Sequence, residues 1–237
     1  MNKDQYKKVL AHCGTKPEVR NYIYNNYWDN KWWPRCVKDW RIKIILVGIN
    51  TRITEQAINK VWPPLRDYLI ELGIEDLKKL SKKDFLIRFK PLGLGRMRWK
   101  FTQSVLDFVE KYPEYDNFKN LDHDTFINLL KEEIWGCGWN IAQCAALYIS
   151  GYNCGIIPVD AGMKDKLAPH FLFNTSTTNK GYEELRKELE HLTAQINFKD
   201  FLREIEQKEI SNGLKPGEPD YWWTHLALIS YKRNYLN

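Results

Sequence analysis

Apolar residues recur along the chain at three- and four-residue spacing, and alternation of period two is nearly absent. The pattern predicts helices almost throughout and an all-α fold. Val37 to Gly48 is apolar and amphipathic. Thr54 to Leu72 opens on a Thr54 cap and ends at Gly73. Ser81 to Phe89 has Ser81 as cap with Asp84 at the third position. Met97 to Tyr112 places Trp99, Phe101, Val105, Leu106 and Val109 at helical spacing before Pro113 stops it. In the second half a helix from about Asp124 to Ile134 meets the break Trp135-Gly136-Cys137-Gly138-Trp139, and a further helix runs from Asn140 to Ile149, closed by Gly151. An irregular stretch reaches Pro158, and a helix begins near Asp160. A polar cluster spans Asn174 to Asn179, a long charged helix runs from Tyr182 to about Glu209, a loop spans Gly213 to Pro219, and a final helix covers Trp222 to Arg233.

Composition adds limits to this pattern. With 237 residues, 43% apolar and 14% aromatic, the chain has material for a real core in one large or two small domains. The longest apolar run, Ile44 to Ile49, is far short of the roughly 20 residues of a spanning helix, and no apolar region succeeds Met1-Asn2-Lys3-Asp4-Gln5. No membrane partner and a cytoplasmic location are expected. The five cysteines contain no C-x-x-C pair, which argues for reduced thiols over a disulfide framework or zinc ribbon, and the five histidines lack ligand spacing.

Net charge is +6, unevenly spread. Residues 1–120 carry 24 Lys and Arg against 14 Asp and Glu, whereas residues 121–237 carry 12 against 16. A polyanionic partner and a merely solvated basic surface both account for the excess. The sharpest local feature is Arg88 to Lys100, with Arg88, Lys90, Arg96, Arg98 and Lys100 and no acid, a candidate phosphate-tracking face.

Chemistry concentrates at Ile134-Trp135-Gly136-Cys137-Gly138-Trp139-Asn140-Ile141-Ala142. Two glycines at a helix entrance let successive backbone N–H groups face one concavity that binds a phosphate or a bridging cation. A tight turn between helices needs the same glycines. Further along, Ile156-Ile157-Pro158-Val159-Asp160 sets one carboxylate after an apolar run where a helix starts. Asp160 at that place serves as a helix cap, as a catalytic carboxylate, or as both.

Together these residues resemble the helix-hairpin-helix DNA glycosylase superfamily, the endonuclease III-like or HhH-GPD family. Ile134 to Ala142 stands for its hairpin and Pro158-Val159-Asp160 for its aspartate motif. Ile44 to Lys60 is similar to its early helix and loop, Leu92-Gly93-Leu94 to a second loop, and Trp222 to Tyr231 to its closing helix. The resemblance implies a two-lobed helical bundle with the active site in the cleft between lobes. One lobe would combine residues 1–40 and 160–237, and the other would span 41–159 and carry the hairpin at about 124–150. It implies Asp160 as catalytic carboxylate, Gly136, Gly138 and Trp139 against the DNA backbone, and Arg52 and Leu94 with Arg96 on wedge loops. Arg98, Lys100 and Lys164 would neutralise phosphates, and Trp32 and Trp33 are candidate walls for a flipped base, although aromatics at this spacing more often form core.

The sequence departs from the family at several points. Asn140 stands where bifunctional members carry a nucleophilic lysine, so an amide replaces the amine and hydrolysis without strand cleavage is expected. No cysteine comes after Cys154, so no iron–sulfur cluster is expected, and a monovalent cation at the hairpin is the one candidate cofactor. Ala161-Gly162 replaces a bulkier pair, either leaving room beside the sugar or reflecting tolerance at a helix start. The expected activity is that of a monomeric, monofunctional glycosylase acting on a damaged or modified base in double-stranded DNA, in base excision repair or in defence against modified phage DNA. A nucleic-acid-binding protein without catalysis and a hydrolase of modified nucleosides are the alternatives.

Overall fold

A computed structural model describes residues 1–114, 118 and 120–236. Among these residues the chain is all-helical, with fourteen α-helices and no strand. It divides into two compact units, residues 1–28 with 150–237 and residues 29–149. The expected boundaries at 40 and 159 are therefore shifted: residues 29–40 join the second unit and residues 150–159 the first.

The first unit holds α1 (Lys3–Gly14) and α2 (Pro17–Tyr27) from the amino terminus. From the carboxyl side come α10 (Ala168–His170), α11 (Lys180–Ala194), α12 (Phe198–Glu204), α13 (Lys208–Asn212) and α14 (Tyr221–Tyr235). Its core element is α14, in which every residue from Trp222 to Tyr231 is buried. Asp220 starts that helix by accepting the Trp223 N–H at 2.8 Å, and its other oxygen accepts the Tyr27 hydroxyl at 2.6 Å. Gly14 lets α1 approach closely, since a Cβ there would lie 2.7 Å from the Trp223 ring. Each fully buried side chain such as Leu226 contributes about 1.5–3 kcal/mol.

The second unit comprises α3 (Trp40–Ile49), α4 (Glu55–Lys60), α5 (Trp62–Lys79), α6 (Lys82–Arg88), α7 (Gly95–Lys111), α8 (His123–Glu133) and α9 (Trp139–Ser150), of which the last residue passes to the other unit. Helix α3 is buried from Ile44 to Ile49 and packs on α7 through Phe101, whose ring occupies the space a side chain at Gly48 would need. Trp62, Leu65 and Leu69 of α5 are buried as well.

Several helix limits differ from the sequence reading. Thr54 to Leu72 is two helices rather than one, interrupted at Val61, because Pro63 and Pro64 suit a first helical turn and cannot sit in a helix interior. Gly73, expected as a helix end, adopts φ +66° and kinks α5, which resumes to Lys79. The long helix expected over Tyr182 to Glu209 is three helices, α11 to α13, and two further helices, α1 and α2, precede Val37, where the sequence reading assigns none.

Candidate active site and nucleic-acid interface

Helix α7 organises the second unit's candidate surface. Arg98, in its first turn, is 3% exposed. Its Nε donates to the Gly93 carbonyl at 2.9 Å, and Nη2 donates to Leu92 at 3.1 Å and to Thr51 at 3.2 Å. Nη1 donates to the Ile49 carbonyl. Burial pushes this guanidinium down to about 10, still charged at neutral pH. Arg98 therefore faces inward: it is no phosphate contact, because its N–H groups are spent on the backbones of the two loops expected to act as wedges.

Those loops carry unusual backbone. Arg52 has φ +55° and Leu94 φ +50°, both in the left-handed region that side chains disfavour, and Gly93 has φ +67°. Arg52 and Arg96 are exposed, and Leu94 is 45% exposed. Strained non-glycine residues persist where the surroundings over-determine them and cluster at functional sites. Next along α7, the Lys100 amino group lies 4.0 Å from the centroid of the Trp135 ring. Ser104 accepts the Trp135 backbone N–H at 2.8 Å. One helix thus gathers the Arg52 loop, the Leu94 loop and the entrance of the glycine turn.

The glycine turn itself runs from Ile134 to Gly138 between α8 and α9. The Cys137 N–H donates to Ile134 and the Gly138 N–H to Gly136. Positive φ, +80°, belongs to Gly136 alone; Gly138 has ordinary backbone and no atom within 4 Å of where a Cβ would stand. Both glycines are exposed. Lys131 lies over the Trp139 ring at 4.8 Å, and the Asn140 amide donates to Cys144 Sγ at 3.7 Å. The first N–H groups of α9 have no partner within their helix, as at any helix start.

The two candidate base walls separate. Trp33 is buried and stacks on Tyr148 with ring centroids 6.1 Å apart; it is core rather than pocket wall. The Asn50 amide, in the orientation that satisfies both its ends, accepts the Trp33 indole N–H at 2.8 Å. Trp32 is half-buried, and its carbonyl accepts the Trp62 indole N–H at 3.2 Å.

Asp160 lies in the first unit. Its Oδ1 accepts the Met163 N–H at 2.7 Å, so it caps the helix that begins there, and its Oδ2 accepts from Lys232 Nζ at 2.7 Å. The side chain is 25% exposed. A π-turn over Met163–Leu167 comes at once, a local irregularity common at functional sites. The segment leading to Asp160 is tied from two directions. Glu190 accepts the Ile157 N–H at 3.0 Å and is itself gripped by Arg186, 1% exposed, at 2.8 Å. His225 contacts the Pro158 carbonyl at 3.1 Å through Nδ1 and stacks on Trp222.

Two expectations around Asp160 are corrected. Lys164 is 8% exposed, and its amine donates to the Thr177 carbonyl at 2.9 Å and pairs with Asp165, so it is turned away from solvent phosphate. The room expected at Gly162 is filled by the Lys232 side chain: a Cβ at 162 would lie 2.7 Å from Lys232 Cδ. Sequence reasoning misses Lys232, which lies 72 residues from Asp160, with only the glycine at 162 as a trace of it.

Among the described residues no group of three or more His, Cys, Asp or Glu is placed to hold a metal, and no helix is long and apolar enough to cross a membrane. No protein-family model matches the chain, and comparison with curated proteins and with solved structures finds no match.

Replacing Arg98 with Met should lower folding stability by about 2–4 kcal/mol, because buried carbonyls lose their donors. Urea unfolding checks this, and proteolysis should become faster at residues 50–53 and 91–95.

A second prediction concerns His225, 4% exposed, which burial lowers from 6.5 to about 4. Below about pH 6.5 the unfolded chain takes up a proton here that the folded chain refuses until about pH 4. Stability should therefore fall as pH drops through that window, by up to about 3 kcal/mol from this group. Glu190, pushed by burial from 4.5 up to about 7, contributes the opposite slope between those values. The difference between the stability curves of the wild type and His225→Gln isolates the histidine, and a flat difference between pH 4 and 6.5 would refute its assignment.

Proposed function

We propose that this chain is a DNA glycosylase that hydrolyses the N-glycosidic bond of a flipped damaged or modified base, with Asp160 as the catalytic carboxylate. The observation that carries the reading is the fixation of Asp160. A partly exposed carboxylate is held by the Met163 N–H and by Lys232, at the end of a segment whose backbone is tied at Ile157 and Pro158 by buried groups. Such pre-organisation is what a charge-stabilising group requires.

The chemistry suits a carboxylate. As the base departs, the deoxyribose acquires oxocarbenium character, and an anion beneath C1′ stabilises it while orienting the attacking water. The Gly136 to Asn140 turn would hold the DNA backbone through N–H groups at the start of α9, directly or through a monovalent cation, since the N–H groups of Cys137 and Gly138 are bonded within the turn. Arg96 and Lys100 would track phosphates, and Arg52 and Leu94, exposed on their strained loops, would fill the gap left by the flipped base. Trp139 beside the turn and Trp32 remain the aromatic surfaces for nucleotide contact. The lesion is an alkylated or oxidised purine, a mismatched pyrimidine or a hypermodified cytosine, which places the reaction in repair or in defence against modified phage DNA.

The deciding experiment incubates the protein with a panel of duplexes carrying these bases and measures released base and alkali-labile sites. Asp160→Asn should reduce base release by about 100-fold or more while duplex affinity is kept or rises, since a charge that repels phosphate is removed. Near-normal turnover in that variant would refute the assignment. Duplex binding without base release from any panel member would instead identify a binding module.

A second variant tests the glycine turn. Because a Cβ at residue 138 meets no other atom of the chain, Gly138→Val should leave the melting temperature unchanged and weaken duplex binding irrespective of sequence. Unchanged affinity would reduce the glycines to a simple turn.

A further inference from the structure

Lys232 gives Asp160 a neighbour of a kind that Asn140 cannot supply. Its Nζ stands 2.7 Å from Asp160 Oδ2, and its side chain is 12% exposed. It arrives from α14 across residue 162, where a Cβ would stand 2.7 Å from Lys232 Cδ, 3.0 Å from Nζ and 3.1 Å from Cε, so a side chain there would make the end of the lysine shift. An ordinary surface ion pair leaves both partners in solvent. Here a nearly buried amine is delivered to one oxygen of a carboxylate whose other oxygen is fixed by the backbone.

Base hydrolysis would leave a deoxyribose whose C1′ opens to an aldehyde, and a primary amine beside a proton acceptor condenses with an aldehyde. We propose that Lys232 forms a Schiff base with C1′ of abasic DNA, giving the chain a lyase activity besides base release. The inference rests on the reading that Asp160 addresses C1′. The Lys232 ammonium passes one proton to the Asp160 carboxylate, and the neutral amine adds to C1′, forming a C–N bond and a carbinolamine. The carboxylic acid returns its proton to the carbinolamine oxygen, the C1′–O bond breaks, and water leaves, so that the protonated imine forms with the carboxylate regenerated. Loss of a C2′ proton to that carboxylate then expels the 3′-phosphate and forms the C2′=C3′ double bond. Water hydrolyses the imine and frees the lysine.

The test uses the full chain and a duplex with one preformed abasic site, so it does not depend on which base the protein removes. Borohydride, which delivers hydride to a C=N bond, should trap a covalent protein–DNA adduct. Proteolysis of the reduced wild-type adduct and mass spectrometry should place it on Lys232, a result that needs no variant to fold. Lys232→Arg should lose the adduct, and Lys166→Arg, which alters an exposed lysine near Asp160, should keep it.

Absence of an adduct from wild-type protein that binds the abasic duplex overturns the proposal, as does an adduct on any other amine. Base release on the lesion panel is scored separately: release without an adduct sinks the lyase and spares the glycosylase. An adduct on Lys232 without release from any panel member supports the lyase and counts against the glycosylase.

Discussion

The second unit's surface depends on one buried cation. Four backbone carbonyls, from Ile49, Thr51, Leu92 and Gly93, take the protons of Arg98 in place of a carboxylate. A guanidinium suits this task because its donors point in several directions in one plane, whereas an ammonium is a single compact point of charge. The desolvation cost is offset by fixing two connecting segments, whose one regular element is the single 3-10 turn Lys90–Leu92. Each holds a left-handed side-chain-bearing residue, Arg52 or Leu94, at a cost of about 1–3 kcal/mol apiece. Remove the guanidinium, and the four carbonyls lose the donor that joins one loop to the other.

The first unit solves the same problem with different chemistry. Ile157 and Pro158 precede the Asp160 cap outside any helix, where no helical ladder can satisfy their polar groups. Glu190 receives the N–H of one and His225 contacts the carbonyl of the other. Arg186, fully enclosed, holds Glu190 and Glu183 together on α11. In both units the irregular segments that carry candidate chemistry are fastened by buried polar side chains from regular helices, and in both the fastening residue lies outside the motif it supports.

That arrangement explains which features are legible in the sequence. Most of the helices, the Ser81 cap and the helix start at Asp160 obey local rules, and those rules hold in the structure, whereas at Gly73 the helix kinks and resumes instead of ending. The division of residues 182–209 into three helices is silent, because no proline or glycine marks the breaks at Gln195 to Asn197 and Ile205 to Gln207. Arg98 reads as one basic residue among five, since nothing in Arg96-Met97-Arg98-Trp99-Lys100 distinguishes the inward side chain except helical phase, which single positions do not fix. Trp33 and Trp32 are adjacent, yet one is core and the other half-exposed. The pairing of Lys232 with Asp160 joins residues distant in sequence, and such pairs have no local signature.

Gly162 and Lys232 also restrict each other through inheritance. A methyl group at 162 would make the end of the Lys232 side chain shift, so the glycine is exchanged without adjustment only in a chain whose residue 232 is short or turned elsewhere. The two positions are therefore coupled: the lysine can be lost at the expense of the ion pair alone, whereas a side chain gained at 162 while Lys232 remains obliges the flexible amine to take another path to Asp160. Across descendants of this sequence the pair would register as a correlated couple, with exchange at 162 easier in lineages that have already given up the amine.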